Sequence, residues 1–246
     1  MLLTTLNDPD TTQLLQQMRA LPQRRLTQIE VQGQPYFVKM PETGLSLRWR
    51  LQKGNPKAAF AREINLLRKF AERGAPVARI VAGDDTRIAM ADHGTPVRWI
   101  VYRKQADPVL MRRLGTALAE MHALGLAHGR PSLRDICWNG KDMTFLDLEA
   151  GAKLQATPRD QARDLYLLIH SVFNADGVQS PLALPVLKAY RAQCDPAIWE
   201  AAKELAQRLW WVDLLSRPGA WVHRLRGKSR SEFAAIRAAR SLILRA

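Results

Sequence analysis

The dipeptide Asn139-Gly140 leaves the chain little conformational choice. Both residues tolerate positive φ, which a two-residue type I′ turn demands. Short apolar runs flank them, Ile136-Cys137-Trp138 before and Met143-Thr144-Phe145-Leu146 after. The pattern predicts a tight hairpin that brings Asp135 and Asp147 to its open end. Two carboxylates there, behind the polar run His128-Gly129-Arg130-Pro131-Ser132-Leu133-Arg134, are oxygen donors of the kind a divalent cation takes. They serve equally as strand-end residues that cap backbone amides, and both readings stay open at this point.

Upstream, the pattern is of strands and one long helix. Residues 1–20 are weakly helical around Leu14, Leu15 and Met18. Residues 25–31 alternate and are rich in β-branched side chains, Gln32-Gly33-Gln34 reads as a turn, and Tyr36–Met40 reads as the second arm of a hairpin. Lys39 lies near the end of that arm, where it either points to solvent or serves a site. Asn55-Pro56 supplies a cap and a first-turn proline, and Phe60, Ile64, Leu67 and Ala71 recur at helical spacing up to Gly74. Glu63 falls at the edge of that stripe, and a strand lysine followed by an inward helical glutamate can hold the lysine against phosphates. Residues 76–81, 87–91 and 97–101 are expected to be extended, with a turn at Asp92–Pro96.

Downstream the periodicity is helical. Leu110, Leu114, Leu118 and Met121 form one face of a helix from Pro108 to Ala123. Thr157-Pro158-Arg159-Asp160 is a capping box, opening a helix to about Phe173 with Leu165, Leu168, Ile169 and Val172 inside and Asp164 beside them. Asp195-Pro196 opens another, running through Val212. Trp210, Trp211 and Trp221 are expected to fill core or cover a lobe surface, because no regular interleaving of basic and aromatic residues surrounds them. The segment 223–246 carries seven Arg and Lys against Glu232 alone, with Phe233, Ile236, Leu242, Ile243 and Leu244 on an apolar side. It reads as a solvated basic helix or as an element that docks on anionic lipid.

The 37 Lys and Arg outnumber the 23 Asp and Glu among 246 residues, a formal net charge of +14. That excess favours acidic partners: nucleic acid, anionic headgroups or phosphorylated substrates. Cys137 and Cys194 have no metal-ligand spacing and form no disulfide framework. No early segment joins a basic stretch to an apolar run and a cleavage site, and no apolar run reaches membrane-spanning length. A cytoplasmic protein is therefore expected.

Strand Lys39, helix Glu63, a His-Gly loop at 128–135, a hairpin, Asp147 and a helix carrying Asp164 follow in that order. The order resembles the protein-kinase-like fold, and within it the bacterial lipopolysaccharide kinases that include Kdo and core heptose kinases. The likeness is carried by Trp49-Arg50-Leu51, Ala59-Phe60-Ala61-Arg62-Glu63, Glu72-Arg73-Gly74-Ala75-Pro76-Val77, Leu118-Ala119-Glu120-Met121-His122, His128-Gly129 and Phe145-Leu146-Asp147. It implies an α+β, two-lobed fold. An N-terminal lobe of small antiparallel sheet and one helix spans 1–90, a mainly helical C-terminal lobe spans 91–222, and the basic amphipathic tail spans 223–246. It also implies ATP and Mg²⁺ as cofactors and a sugar or lipopolysaccharide-type acceptor, with the protein peripheral at the inner face of the inner membrane.

Position by position, the resemblance implies that Lys39 holds the nucleotide phosphates and Glu63 anchors Lys39. Asp147, in Asp147-Leu148-Glu149, and Asp135 hold the metal, and Ala91 and Asp92 meet adenine at the hinge Met90–His93. His128, Arg130 and Asp135 form the catalytic loop, braced by Asp164. This chain departs from the pattern at three places. Arg130 stands where the family has an acidic base, and an arginine cannot accept a substrate proton. Asp135 replaces a metal-binding Asn. No glycine precedes Gly33, so no glycine-rich loop cradles phosphates, and Arg24 and Arg25 are the side chains that could clamp instead. Two readings follow, a divergent active kinase and a pseudokinase that binds nucleotide or a partner. RNA binding is a third, weaker one.

Overall fold

A computed structural model describes residues 9–41, 55–148, 151–225 and 231–246. Trp49-Arg50-Leu51, Glu149, Arg226, Lys228 and Arg230 lie outside the described residues. The chain divides into two compact units, one within Met1–His93 and Asp147–Ala150, the other within Gly94–Leu146 and Gly151–Ala246. The first unit thus reaches three residues beyond the expected boundary at 90 and takes back a short segment after the hairpin.

In the first unit, α1 (Pro9–Ala20) precedes β1 (Leu26–Val31) and β2 (Gln34–Lys39), with α2 (Pro56–Glu72), β3 (Ile80–Gly83) and β4 (Ile88–Ala91) following. The four strands form an antiparallel sheet in the order β1-β2-β4-β3. Lys39 is therefore on a central strand, opposite Leu26 on one side and Ile88 on the other. Leu14 and Met18 of α1 pack on Val31, Val38, Met40, Ala82 and Ala89 to make the core of this unit. The Asn55 side chain accepts from the Lys57 amide at 3.0 Å and Pro56 takes the first helical position, so α2 starts where the sequence predicts. Its buried face is Phe60, Ile64, Leu67 and Phe70, with Phe70 in place of the expected Ala71.

The second unit begins with β5 (Thr95–Pro96) and α3 (Val97–Tyr102), continues through α4 (Pro108–Ala123), and then forms the hairpin β6 (Ile136–Trp138) and β7 (Met143–Phe145). These three strands form a small antiparallel sheet in the order β5-β6-β7. The rest is helical: α5 (Pro158–Asp176), α6 (Ala183–Arg191), α7 (Pro196–Arg208), α8 (Trp210–Leu225) and α9 (Glu232–Arg245). The Thr157–Asp160 capping box forms with both reciprocal bonds, and Leu165, Leu168, Ile169 and Val172 are buried as expected.

Three local expectations give way. Residues 97–101 are helical, because Val97, Ile100 and Val101 bury at i, i+3, i+4 while Trp99 stays 52% exposed. The helix expected to run from Pro196 through Val212 breaks at Leu209, and a new one begins at Trp210. Residues 223–246 do not form a separate tail. α8 continues through Leu225, and α9 lies against α5, α7 and α8 with Ala235, Ala239 and Ile243 fully buried. Among the described residues no helix is long and apolar enough to cross a membrane.

Candidate active site

The ammonium of Lys39 lies 2.5 Å from Glu63 Oε1 and 2.8 Å from Asp147 Oδ1. Three elements converge to make this cluster. β2 carries Lys39, α2 presents Glu63 at the margin of its buried stripe, and Asp147 belongs to the segment that the first unit takes back after the hairpin. Asp147 holds φ of +60°, a left-handed conformation that Asp tolerates better than most residues. All three side chains are largely buried.

Burial on its own would lower the Lys39 pKa, but attraction to Glu63 and Asp147 overrides it and raises it above the ordinary 10.5. Burial pushes Glu63 above its ordinary 4.5, and the Lys39 charge only partly offsets this because Asp147 competes for the same ammonium. One ammonium bonds both carboxylates, and the Arg25 charge adds a smaller attraction at Glu63.

Ala91 and Asp92, expected at the hinge, lie at the end of β4 in the same unit. Ala91 pairs with Tyr36, and the Asp92 amide donates to the Pro35 carbonyl at 3.3 Å. That amide is thus engaged within the first unit's own backbone.

In the second unit, the loop between α4 and β6 is anchored from behind. Asp164 is fully buried, and its carboxylate accepts from the amides of His128 at 2.6 Å and Gly129 at 2.9 Å. The ring of His128 is buried too, with Nε2 2.9 Å from the Leu146 carbonyl. His128 therefore holds the carbonyl of the residue that immediately precedes Asp147.

Gly129 has φ of +92°, and a Cβ there would lie 2.2 Å from the Gly151 backbone, so only glycine fits. Arg130 is exposed. Asp135 is held by its neighbour, with Arg134 Nε and a terminal nitrogen at 3.0 and 3.4 Å from its two oxygens. The Asp135 carbonyl accepts from the Leu146 amide at 2.7 Å, which closes the open end of the hairpin.

Sequence reasoning missed two buried polar groups that shape this loop. Gln161 donates to the carbonyls of His122 and Leu126, at 2.7 and 3.0 Å, and so fixes how the chain leaves α4. A glutamine at the head of the Leu165-Leu168-Val172 stripe was the signal available for it. The hydroxyl of Tyr190 lies 2.7 Å from His122 Nδ1, with His122 Nε2 3.5 Å from Asp164. Burial pushes the Tyr190 pKa far up and the His122 pKa down, so a neutral imidazole accepts from the phenol and aims its Nε2–H at Asp164.

Among the described residues no group of three or more His, Cys, Asp and Glu side chains gathers as a metal site. Asp147 in the first unit and Asp135 in the second are each hard oxygen donors, the type of ligand that Mg²⁺ takes.

No protein-family model matches the chain. A Haemophilus influenzae protein described as uncharacterized is 29% identical over 198 residues, covering 79% of this chain and 81% of its own. A Thermoplasma acidophilum protein described as a probable bifunctional tRNA threonylcarbamoyladenosine biosynthesis protein is 24% identical over 177 residues, 70% of this chain but 32% of its own length. Two solved structures share the architecture. WaaP in complex with acyl carrier protein matches at TM-score 0.51 and 18% identity, over 84% of this chain and 98% of its own. A gentamicin–APH(2")-IIa complex matches at TM-score 0.53 and 13% identity, over 99% and 98%. The fold is protein-kinase-like. In kinase-like terms the first unit carries the small antiparallel sheet with its strand lysine and helix glutamate, and the second is the mainly helical part.

Proposed function

We propose that the protein is a divergent ATP-dependent phosphotransferase that acts on a hydroxyl of a lipopolysaccharide-core sugar or a similar acceptor. The observation that carries this reading is the Lys39–Glu63–Asp147 cluster, with its contacts of 2.5 and 2.8 Å. A buried lysine shared by two carboxylates is costly to maintain, and phosphoryl transfer gives it a purpose. Lys39 exchanges Asp147 for a phosphate oxygen and keeps Glu63 as its anchor. Asp147 would then serve as an oxygen ligand for the metal, a role that the sequence pattern also gives to Asp135. Mg²⁺, when bound, supplies charge neutralisation at the phosphates. Arg130 remains cationic and stabilises phosphate charge rather than taking a proton. The likeness to WaaP supports a sugar of the lipopolysaccharide core as acceptor, and the use of ATP supports a cytoplasmic location.

Arg130 directly after His-Gly favours a second reading, a pseudokinase that binds nucleotide or a partner without transferring phosphate. The purified protein, mixed with ATP·Mg²⁺ and lipopolysaccharide core, separates the two. The transferase is expected to show a rise in Tm and acceptor-dependent release of ADP, both abolished by Lys39→Ala and by Asp147→Asn. A rise in Tm without ADP supports the binding module, and neither signal removes the kinase reading altogether.

A further inference from the structure

Helix α8 is built inside-out. Its polar residues Asp213 and Ser216 are buried, and among the described residues Asp213 Oδ1 has no hydrogen-bond partner. Ser216 spends its hydroxyl on the Asp213 carbonyl. The large apolar residues point the other way: Trp210 is 59% exposed, Trp211 52%, Leu215 71% and Trp221 62%. At 3.6 residues per turn these four, with Leu214 and Pro218, occupy an arc of about 140° on one side of the helix. A helix on the surface of a globular protein normally shows the reverse pattern, and contiguous apolar patches on such surfaces mark sites of interaction. α8 is nonetheless firmly seated, because Gly219 leaves room for the Phe233 ring of α9 to lie against it.

We propose that this face docks the protein on an anionic lipid bilayer, with α8 lying in the headgroup region. Indole rings with an apolar body and a polar N–H are the side chains best suited to that boundary. The sequence on either side of them is cationic, which is complementary to acidic lipid. From residue 207 to 231 the sequence contains Arg208, Arg217, Arg224, Arg226, Lys228 and Arg230 and only one acid, the buried Asp213. Two copies meeting on this segment would each bring an excess of five positive charges, which argues against self-association as its cover. The surface also shifts docking from the apolar side of α9, whose Ala235, Ala239 and Ile243 are buried within the unit, to the preceding helix.

The test is co-sedimentation of the full-length protein with vesicles of three parts phosphatidylcholine to one part phosphatidylglycerol. The native chain is expected to bind, with its tryptophan emission shifted to the blue and quenched by brominated lipid. Trp210→Ser/Trp211→Ser/Trp221→Ser is expected to bind at least about tenfold more weakly, with Tm unchanged because these side chains are already in solvent. Leu214→Ser/Leu215→Ser, a second variant on the same face, is expected to weaken binding while keeping the native Tm. Equal binding by either folded variant overturns the proposal. So does equal binding to vesicles of phosphatidylcholine alone. A native dimer that the tryptophan variant converts to monomer, with no vesicle binding, assigns the face to a second copy instead. Vesicle binding requires no nucleotide, so its failure leaves the phosphotransfer reading where it stands.

Discussion

Lys39 is one ammonium that bonds two carboxylates, and its raised pKa makes the cluster respond to pH. Its folded-state pKa lies above 10.5, so its stabilising contribution is complete below that value and is lost as pH rises through the folded pKa. Lys39→Met removes the ammonium that bonds Glu63 and Asp147 and is expected to cost about 3 kcal/mol at pH 7, because both acids remain largely buried. The penalty shrinks as pH falls toward the Glu63 pKa, which burial holds above 4.5, since an orphaned Glu63 takes up a proton. It shrinks again as pH rises past 10.5 and through the raised folded pKa, where the native lysine loses its own proton. Urea unfolding of both proteins across that range is expected to give a difference that peaks in the middle. A difference independent of pH would mean that Lys39 matters by packing alone.

The loop from α4 to β6 shows which elements composition can reveal and which it cannot. Its ends were legible: Leu110, Leu114, Leu118 and Met121 mark α4, and Asn139-Gly140 marks the hairpin. Its interior is set by backbone geometry. Asp164 serves two adjacent amides, and Gly129 packs its backbone on Gly151 at positive φ. Gly129→Ala is expected to destabilise the second unit by about 2 kcal/mol or more, from unfavourable φ and a blocked approach together. Chemical denaturation measures this, and a cost below about 0.5 kcal/mol would mean that the loop shifts freely. α3 was illegible for a different reason. Val97-Arg98-Trp99-Ile100-Val101 fits a period of two as well as a period of 3.6, and its β-branched residues tip a local reading toward strand. Packing decides otherwise, because the helical register buries Val97, Ile100 and Val101 together. For α8 the sequence leaves two places for the tryptophans, core or lobe surface, and the structure exposes them. There the tryptophans lie on the opposite side from Asp213 and Ser216.

At the scale of the molecule, part of the formal charge of +14 sits on an element whose inner face is packed. α9 makes the point, since three of its residues are arginines spaced along a helix whose other side is sealed. Tyr166, its pKa pushed up to about 12 by burial, donates its hydroxyl to the Ile236 carbonyl at 2.9 Å. Arg240 turns inward and donates through Nε to the Ala206 carbonyl at 2.7 Å, so even one of the basic residues is structural. A detachable basic tail and an integral helix predict opposite outcomes on truncation. Removing residues 231–246 takes away the buried Ala235, Ala239 and Ile243 and uncovers the faces of α5, α7 and α8 that they pack against. The lost burial amounts to about 4 kcal/mol. For a chain of this size that corresponds to a fall in Tm of about 8–16 °C. Thermal unfolding followed by circular dichroism measures it. An unchanged Tm would return residues 231–246 to the status of a separate docking element and put the packing of α9 in error.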